Sequence, residues 1–177
     1  MAKTRRSGLV SVGKSSMNTK TTDPLANCLL RSARVDELPL INRVIASAVM
    51  NWPKRQRLKR LSVSSYVLDE FDVGDFHVVV CERLGHLVGV SAWVETGPGR
   101  GLLHSLFVLP VVKGQGIGRL MMESAFKEAQ AQGICIMQIK ADKTAIPFFS
   151  LHGLEATTPK KPDDYPCLFS KTWSAVA

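Results

Sequence analysis

Apolar residues in this chain form short runs that alternate with amphipathic stretches from residue 27 onward. The run NCLLRSA (27–33) predicts a strand, and apolar side chains at helical spacing over 38–48 predict a helix after it. Asp36 precedes that stretch and is the expected N-cap of the helix. A second and less regular helix is predicted over 61–71.

The middle of the chain has the pattern of three strands joined by tight turns. FHVVVCER and LVGVSAWVE flank LGH, which is typical of a β-hairpin. The stretch GPGRG (97–101) turns the chain into a third apolar run, LLHSLFVLP. We therefore expect three consecutive strands here.

The most regular block is VVKGQGIGRLMMESAFKEAQAQG (111–133), whose apolar residues repeat at helical spacing. It predicts a helix that begins near Gly116 and ends at Gly133, the expected left-handed C-cap. An apolar strand precedes the block, and ICIMQIKA (134–141) predicts another strand after it. The order of strand, glycine-rich turn, helix and strand indicates a parallel crossover unit.

Composition limits the classes of protein that remain. The chain has 177 residues, 45% of them apolar and 21% charged, which is typical of one globular domain. A net charge of +8 is concentrated in residues 1–23 and in WPKRQRLKR (52–60), and it favours an anionic partner such as a cofactor, a small acid or a polynucleotide.

The cysteines and the apolar runs exclude further classes. Four widely spaced cysteines, without a histidine at metal-ligand spacing, disfavour a disulfide framework or a zinc site, and we expect no metal. No run approaches the ~20 apolar residues of a membrane span. We expect a cytoplasmic protein without a membrane partner.

Two stretches match glycine-rich phosphate-binding patterns, and the first is GLVSVGKS (8–15). Such a loop needs a buried strand before it and a helix that begins at its Lys and Ser. The preceding MAKTRRS and the following SMNTKTTDP provide neither. We therefore interpret residues 1–25 as a disordered basic leader and residues 26–177 as a single domain.

The second stretch, KGQGIG, lies between a predicted strand and a predicted helix. Gly114, Gly116 and Gly118 lack the Cβ atoms that would block close approach. Amides of the first helical turn, beside Lys113 and Arg119, would form a seat for a pyrophosphate. A plain tight turn is the alternative. A dinucleotide-binding Rossmann unit is disfavoured, because the Rossmann motif lies near the beginning of its fold, whereas this turn follows three or four predicted strands.

Several segments together resemble the GNAT superfamily of acyl-CoA-dependent N-acetyltransferases. LFVLPVVKGQGIGRLMME resembles motif A, with Lys113 where the family has Arg or Gln. DKTAIPFFSLHGLEA (142–156) is similar to the family stretch Asn-x-x-Ala-x-x-Phe-Tyr-x-x-x-Gly-Phe, with Asp142 at the Asn position. LLRSARVDELPLINRVI is similar to the first strand and helix, so the resemblance spans about 27–173.

The resemblance implies a mixed α/β (α+β) fold. Its central sheet would be mostly antiparallel, with helices on both faces and one splayed parallel pair formed by 102–109 and 134–140. Acetyl-CoA would place its pyrophosphate on the glycine-rich turn and its pantetheine arm along the open strand edge. The implied cofactor contacts are Leu106, Phe107, Val108, Lys113, Gly114, Gln115, Gly116, Ile117, Gly118, Arg119, Asp142 and Phe149.

The implied reaction is attack of an acceptor amine on the acetyl thioester. A protonated amine must lose its proton first, and His104 is the first candidate base because it lies on the strand that leads to the cofactor. A hydrogen-bonded core histidine is the alternative, and Glu95 is the reserve base. The amide of Val108 would face the thioester oxygen.

Phe149 departs from the family pattern because the family usually has tyrosine there. The coenzyme A thiol should resemble a cysteine thiol, whose pKa is about 8.5, so protonation of the departing thiolate is a modest requirement. Water, Ser150 or Tyr165 could meet it.

Three functional classes remain open. The first is an N-acetyltransferase acting on a primary amine of a small molecule or peptide, and the second is a non-catalytic acyl-CoA-binding module. A nucleic-acid-binding protein is disfavoured, because few aromatic residues accompany the basic clusters. The oligomeric state stays open, with a homodimer as one candidate.

Overall fold

A computed structural model describes residues 25–157 and 167–174. The stretch GLVSVGKS, nearly all of the expected leader, and Tyr165 lie outside these residues. Within them the strands are β1 (Cys28–Ser32), β2 (His77–Arg83), β3 (His86–Gly97), β4 (Arg100–Val108), β5 (Ile136–Ala141), β6 (Glu155–Thr157) and β7 (Cys167–Thr172). The helices are α1 (Leu38–Met50), α2 (Gln56–Tyr66), α3 (Glu70–Asp75), α4 (Ile117–Ala131) and α5 (Ile146–Leu151).

The strands form a single mixed sheet. Their order is β1-β2-β3-β4-β5-β7-β6, and each neighbouring pair is antiparallel except β4 and β5. The predicted fold class, a mostly antiparallel sheet with one parallel pair, is confirmed. Parallel pairing of β4 with β5 requires a crossover connection, and α4 provides it.

Helices α1 and α4 cover the sheet with separate apolar clusters. Ile41 and Ile45 of α1 pack with Val90 of β3, while Ala125 of α4 packs with Met137 of β5. Burial of each large apolar side chain contributes on the order of 2 kcal/mol. Helices therefore pack on both faces of the sheet, as the family resemblance implies.

The expected N-cap of α1 is wrong. Asp36 lies inside a 3₁₀ helix, Val35–Glu37, which precedes α1 and has Arg34 at its N-cap position. The carboxylate of Glu37 accepts a hydrogen bond from the Arg34 amide at 3.0 Å and two from the Arg31 guanidinium at 2.6 and 2.8 Å. Because Glu37 makes these contacts, the chain forms an additional turn before α1 begins.

The helix predicted over 61–71 is also wrong in its bounds. Helix α2 begins inside the basic run, and α3 is a separate helix capped by Asp69, whose carboxylate accepts from the Asp72 amide at 2.9 Å. Asn42 of α1 fixes the break between them. Its side-chain amide donates to the Leu68 carbonyl at 2.8 Å and accepts from the Leu68 amide at 2.9 Å.

Strands β4 and β5 part at their C-terminal ends, as expected. Their pairing ends where Leu103 lies opposite Ile139, whereas β4 continues to Val108. At the same level β4 contains an additional residue relative to β3, because Ala92 lies opposite Ser105 and Trp93 opposite Leu103. Such a bulge bends the strand.

Candidate active site

The parted strands border a cleft of about 500 Å³. Its walls come from the loop after α1, helix α2, the end of β4, the glycine-rich loop, the end of β5 and helix α5. A cleft of this size, lined mostly by apolar and aromatic side chains, is typical of a small-molecule site.

One end of the cleft is the N-terminus of α4. Gly116 is its N-cap, with a φ of 86° in the left-handed region. The amide of Leu120 donates to the Gly116 carbonyl at 3.0 Å, so the three amides before it in α4 have no acceptor within the helix. With Lys113 and Arg119 also lining the cleft, this end is suited to an anion.

Gly118, one of these residues, has no side chain to fill the space beside the cleft. A Cβ atom at this position would lie 3.5 Å from the Phe148 ring and 3.8 Å from Val108. A larger side chain at Gly118 would therefore occupy space between α4, α5 and β4.

Ten of the twelve predicted cofactor contacts line the cleft. They are Leu106, Phe107, Val108, Lys113, Gly114, Gly116, Gly118, Arg119, Asp142 and Phe149.

The side chains of Gln115 and Ile117 lie elsewhere. Gln115 accepts a hydrogen bond from the Arg83 guanidinium and so ties the glycine-rich loop to the end of β2. The Ile117 side chain is buried in a cluster with Cys81 and Met121. For these two residues, the expected cofactor contact can come only from the backbone.

The end of β4 presents one free edge to the cleft. Phe107 and Val108 pair with Val90 and Gly89 of β3 on their other side. Beyond Leu103, no strand within the described residues pairs with the edge of β4 that faces β5. An extended ligand can add to such an edge through main-chain hydrogen bonds.

Three aromatic residues form a side of the cleft that we name the aromatic wall: Trp52 of the loop after α1, Tyr66 of α2 and Phe107 of β4. The Trp52 and Tyr66 ring centroids are 5.9 Å apart, and those of Tyr66 and Phe107 are 5.2 Å apart. The sequence alone does not identify Trp52 or Tyr66 as site residues, because neither belongs to a motif. The available signal is the position of Trp52 at the start of the basic run WPKRQRLKR (52–60).

His104 lies at the bulge of β4, behind the aromatic wall. Its ring packs against Tyr66 and Phe76, with centroids 6.2 and 5.3 Å away. Burial lowers the pKa of His104, Asp72 acts in the opposite direction, and Lys140 adds to the lowering. The side chain is therefore neutral at pH 7. It contacts a residue of the cleft wall rather than lining the cleft.

Glu95 does not line the cleft, so its expected role as the reserve base is wrong. It is exposed near the end of β3, opposite Gly101. Gly101 precedes Val108 by seven residues along β4, a separation of roughly 20 Å in an extended strand. Because β3 runs antiparallel to β4, Glu95 lies at the far end of the sheet.

Asp142 follows β5 at the point where the two strands part. Its carboxylate accepts from the Thr144 amide at 3.1 Å and hydroxyl at 2.9 Å, and it pairs with the ammonium of Lys54. Burial acts to raise the pKa of Asp142, but the hydrogen bonds from Lys54 and Thr144 outweigh it and lower the pKa. The carboxylate is therefore charged at neutral pH.

Phe149 packs between the cleft and the core. Its ring centroid lies 5.1 Å from those of Phe148 and Phe169. Ser150 is exposed and is not part of the cleft lining, whereas Tyr66 is. Among the described side chains, Tyr66 thus brings a phenol to this cleft.

Residues 25–157 and 167–174 contain no group of three or more His, Cys, Asp or Glu side chains arranged to hold a metal ion. No helix within those ranges has the length and apolar character to cross a membrane.

Solved structures share this fold at low sequence identity. PaiA N-acetyltransferase from Thermoplasma acidophilum, in complex with coenzyme A, aligns with a TM-score of 0.72 at 12% identity, covering 82% of this chain and 99% of that one. Ribosomal-protein-S18-alanine N-acetyltransferase from Escherichia coli gives 0.61 at 16%, covering 85% and 96%. Ribosomal-protein-alanine N-acetyltransferase from Brucella melitensis gives 0.58 at 21%, covering 82% and 99%. Among curated proteins, none matches this chain.

The mixed sheet, with β4 and β5 as its parallel pair, is the fold that this chain shares with these acetyltransferase structures. The family model described as acetyltransferase (GNAT) domain matches residues 53–168. The chain belongs to the GNAT acetyltransferase family.

Proposed function

We propose that the protein is an N-acetyltransferase that transfers the acetyl group of acetyl-CoA to a primary amine of a small molecule or peptide, by direct attack in a ternary complex. The observation that carries this proposal is the single cleft that joins the free edge of β4 to the N-terminus of α4. An extended arm and a diphosphate, as in coenzyme A, fit these two features together.

Residues of this chain would hold acetyl-CoA in a defined direction. The amides that open α4, with Lys113 and Arg119, would bind the diphosphate. The free edge of Leu106–Val108 would bind the amides of the pantetheine arm. Acetyl-CoA supplies the thioester, and the Val108 amide would donate to its oxygen, an interaction that can contribute about 3 kcal/mol in the transition state.

His104 is the proposed base. Because burial lowers its pKa, the imidazole is neutral and able to accept a proton at pH 7. It would take the proton of the acceptor amine directly or through a water molecule beside the aromatic wall. The contact between His104 and Tyr66 supports a position next to the acceptor.

The proposed acid differs from the usual tyrosine of the family. Phe149 has no proton to give, so Tyr66 or water would protonate the departing thiolate. Since a thiol has a pKa of about 8.5, a weakly placed acid is sufficient near neutral pH.

A thiol-release assay with acetyl-CoA and a panel of amines tests the proposal. We expect release that depends on both substrates, and mass spectrometry of the product should show one added acetyl group. Binding of acetyl-CoA without release for any amine would support the alternative, a non-catalytic acyl-CoA-binding module, which Phe149 favours. Absence of acetyl-CoA binding would overturn both. The cytoplasmic location and the oligomeric state stay predictions.

A further inference from the structure

An ion pair joins the two sides of the cleft at its acceptor end. One side is the loop after α1, where Asn51, Trp52 and Pro53 line the cleft, and the other is the turn after β5. Lys54 extends from the first side, and its ammonium contacts the carboxylate of Asp142 on the second, 88 residues away in sequence. The pair therefore spans the opening between parts of the chain that are otherwise separate.

Burial makes this pair different from an ordinary surface ion pair. The Asp142 side chain is 4% exposed and that of Lys54 is 25% exposed. Thr144 provides two hydrogen bonds to Oδ1 of Asp142, and the Lys54 ammonium contacts Oδ2. Removal of the ammonium would leave a buried carboxylate oxygen without its cation, which is costly. The loop after α1 is thus held towards β5.

The same ammonium also contacts the aromatic wall. Its Nζ atom lies 4.9 Å from the centroid of the Trp52 ring, within the range of a cation–π interaction. Trp52 in turn packs against Tyr66 and Phe107, with its centroid 6.4 Å from that of Phe107. Lys54 therefore connects the end of β5 to the aromatic wall through two contacts of one charged group.

We propose that Lys54 is a positioning residue for the acceptor site: paired with Asp142, it holds the loop after α1 across the cleft and fixes Trp52 in the wall that meets the acceptor amine. The inference rests on the proposed function. It predicts a larger effect on the acceptor than on acetyl-CoA, which shares Phe107 and Asp142 with this part of the cleft but would be held mainly by the glycine-rich loop and the β4 edge.

Lys59 provides a matched control on the same basic run. Its ammonium donates to the Met50 carbonyl at 2.8 Å and does not reach across the cleft to Asp142. The substitutions Lys54→Met and Lys59→Met remove the same charge from the same segment. A general loss of positive potential would affect both variants, whereas loss of the cross-cleft pair affects only the first.

Steady-state kinetics with both substrates varied test the inference. We expect Lys54→Met to raise the KM of the acceptor at least tenfold and the KM of acetyl-CoA by a smaller factor, because Asp142 is also a proposed cofactor contact. Lys54→Arg, which keeps the charge, should recover most of the loss, and Lys59→Met should resemble the wild type. Equal acceptor KM values for the two methionine variants, or an equal rise in both KM values of Lys54→Met, would overturn the inference.

Hydrogen exchange provides a readout that does not need turnover. In Lys54→Met the amides of residues 51, 52, 54 and 55 should exchange faster than in the wild type and in Lys59→Met, whereas those of 113–119 should be unchanged. Unchanged exchange over 51–55 would overturn the inference even in an active enzyme. A wild-type protein that releases no thiol with any amine would instead reject the proposed function, whatever the exchange pattern.

Discussion

The Nδ1 atom of His104 lies 3.0 Å from the Oγ atom of Ser105, its neighbour at the bulge of β4. Ser105 is buried, with 1% of its surface exposed, so this contact restrains the imidazole at the level where β4 and β5 part. The ring is thus held by a polar contact on one side and by aromatic rings on the other.

The substitution His104→Gln should lower kcat by about 10²- to 10⁴-fold, the usual contribution of a positioned base. In the wild type, kcat should fall with acid only below pH 6.5, because burial lowers the pKa of His104. The variant should lose that acidic limb. The measurement is a pH–rate profile over pH 5 to 9.

His77→Gln is the control for this prediction. His77 stacks on Trp93 with centroids 4.1 Å apart and contacts Glu128, away from the cleft lining. It should leave the pH–rate profile unchanged. An acidic limb that persists in His104→Gln would show that another group is the base.

Gly116→Ala should weaken acetyl-CoA binding and destabilise the fold. At a φ of 86° an added Cβ costs roughly 1–2 kcal/mol, and it also displaces the amides that would bind the diphosphate. Gly133→Ala is the matched control, because Gly133 has a φ of 84° beyond the opposite end of α4. Both variants should melt at a lower temperature, but only the first should bind acetyl-CoA less tightly in calorimetry. Equal affinities would contradict the anion site.

Phe149→Tyr should raise kcat by up to about tenfold, since one pKa unit of missing acid assistance corresponds to about 1.4 kcal/mol. The Phe149 ring borders the cleft, so an added hydroxyl would lie at the cleft wall. Phe126→Tyr adds the same hydroxyl to a ring that packs on Trp173 in the core. Thiol release should increase in the first variant alone, and a decrease in both would show that the hydroxyl only disturbs packing.

Glu37 should make the fold sensitive to acid. Hydrogen bonds from Arg31 lower the pKa of Glu37 to about 2, against the opposing effect of burial. The pKa of Glu37 is lower in the folded protein than its unfolded value of about 4.5, so between pH 4.5 and 2 the unfolded state binds more protons than the folded state. The free energy of unfolding therefore falls as the pH falls from 4.5 towards 2.

Glu37→Gln tests this linkage. The variant should lose about 2 kcal/mol at pH 7, the usual cost of losing hydrogen bonds to a charged group. Its melting temperature should then depend less on pH between 4.5 and 2 than that of the wild type. If the melting temperatures of the two proteins depended equally on pH over that range, the contribution of Glu37 to the acid sensitivity would be ruled out.

The glycine-rich turn and its neighbouring elements could be read from the sequence because they depend on contacts that are local in the chain. Apolar spacing places α4, and left-handed glycines at 116 and 133 mark its ends. The bounds of α2 and α3 could not be read, because the break between them depends on hydrogen bonds from Asn42 to Leu68, 26 residues later.

By itself, the sequence determined the first five strands, the helix that begins after Gly116 and the parallel crossover, and the family resemblance added most of the residues that line the cleft near the glycine-rich turn. Periodicity reports which face of an element is buried, and glycine reports where the backbone takes a special conformation. Only the tertiary structure decided the side of the cleft that we propose for the acceptor. Lys54 pairs with Asp142, and Trp52 packs on Tyr66 in the aromatic wall. Glu95 lies at the end of β3 that is remote from the cleft. These placements depend on contacts between segments distant in sequence, which no local pattern predicts.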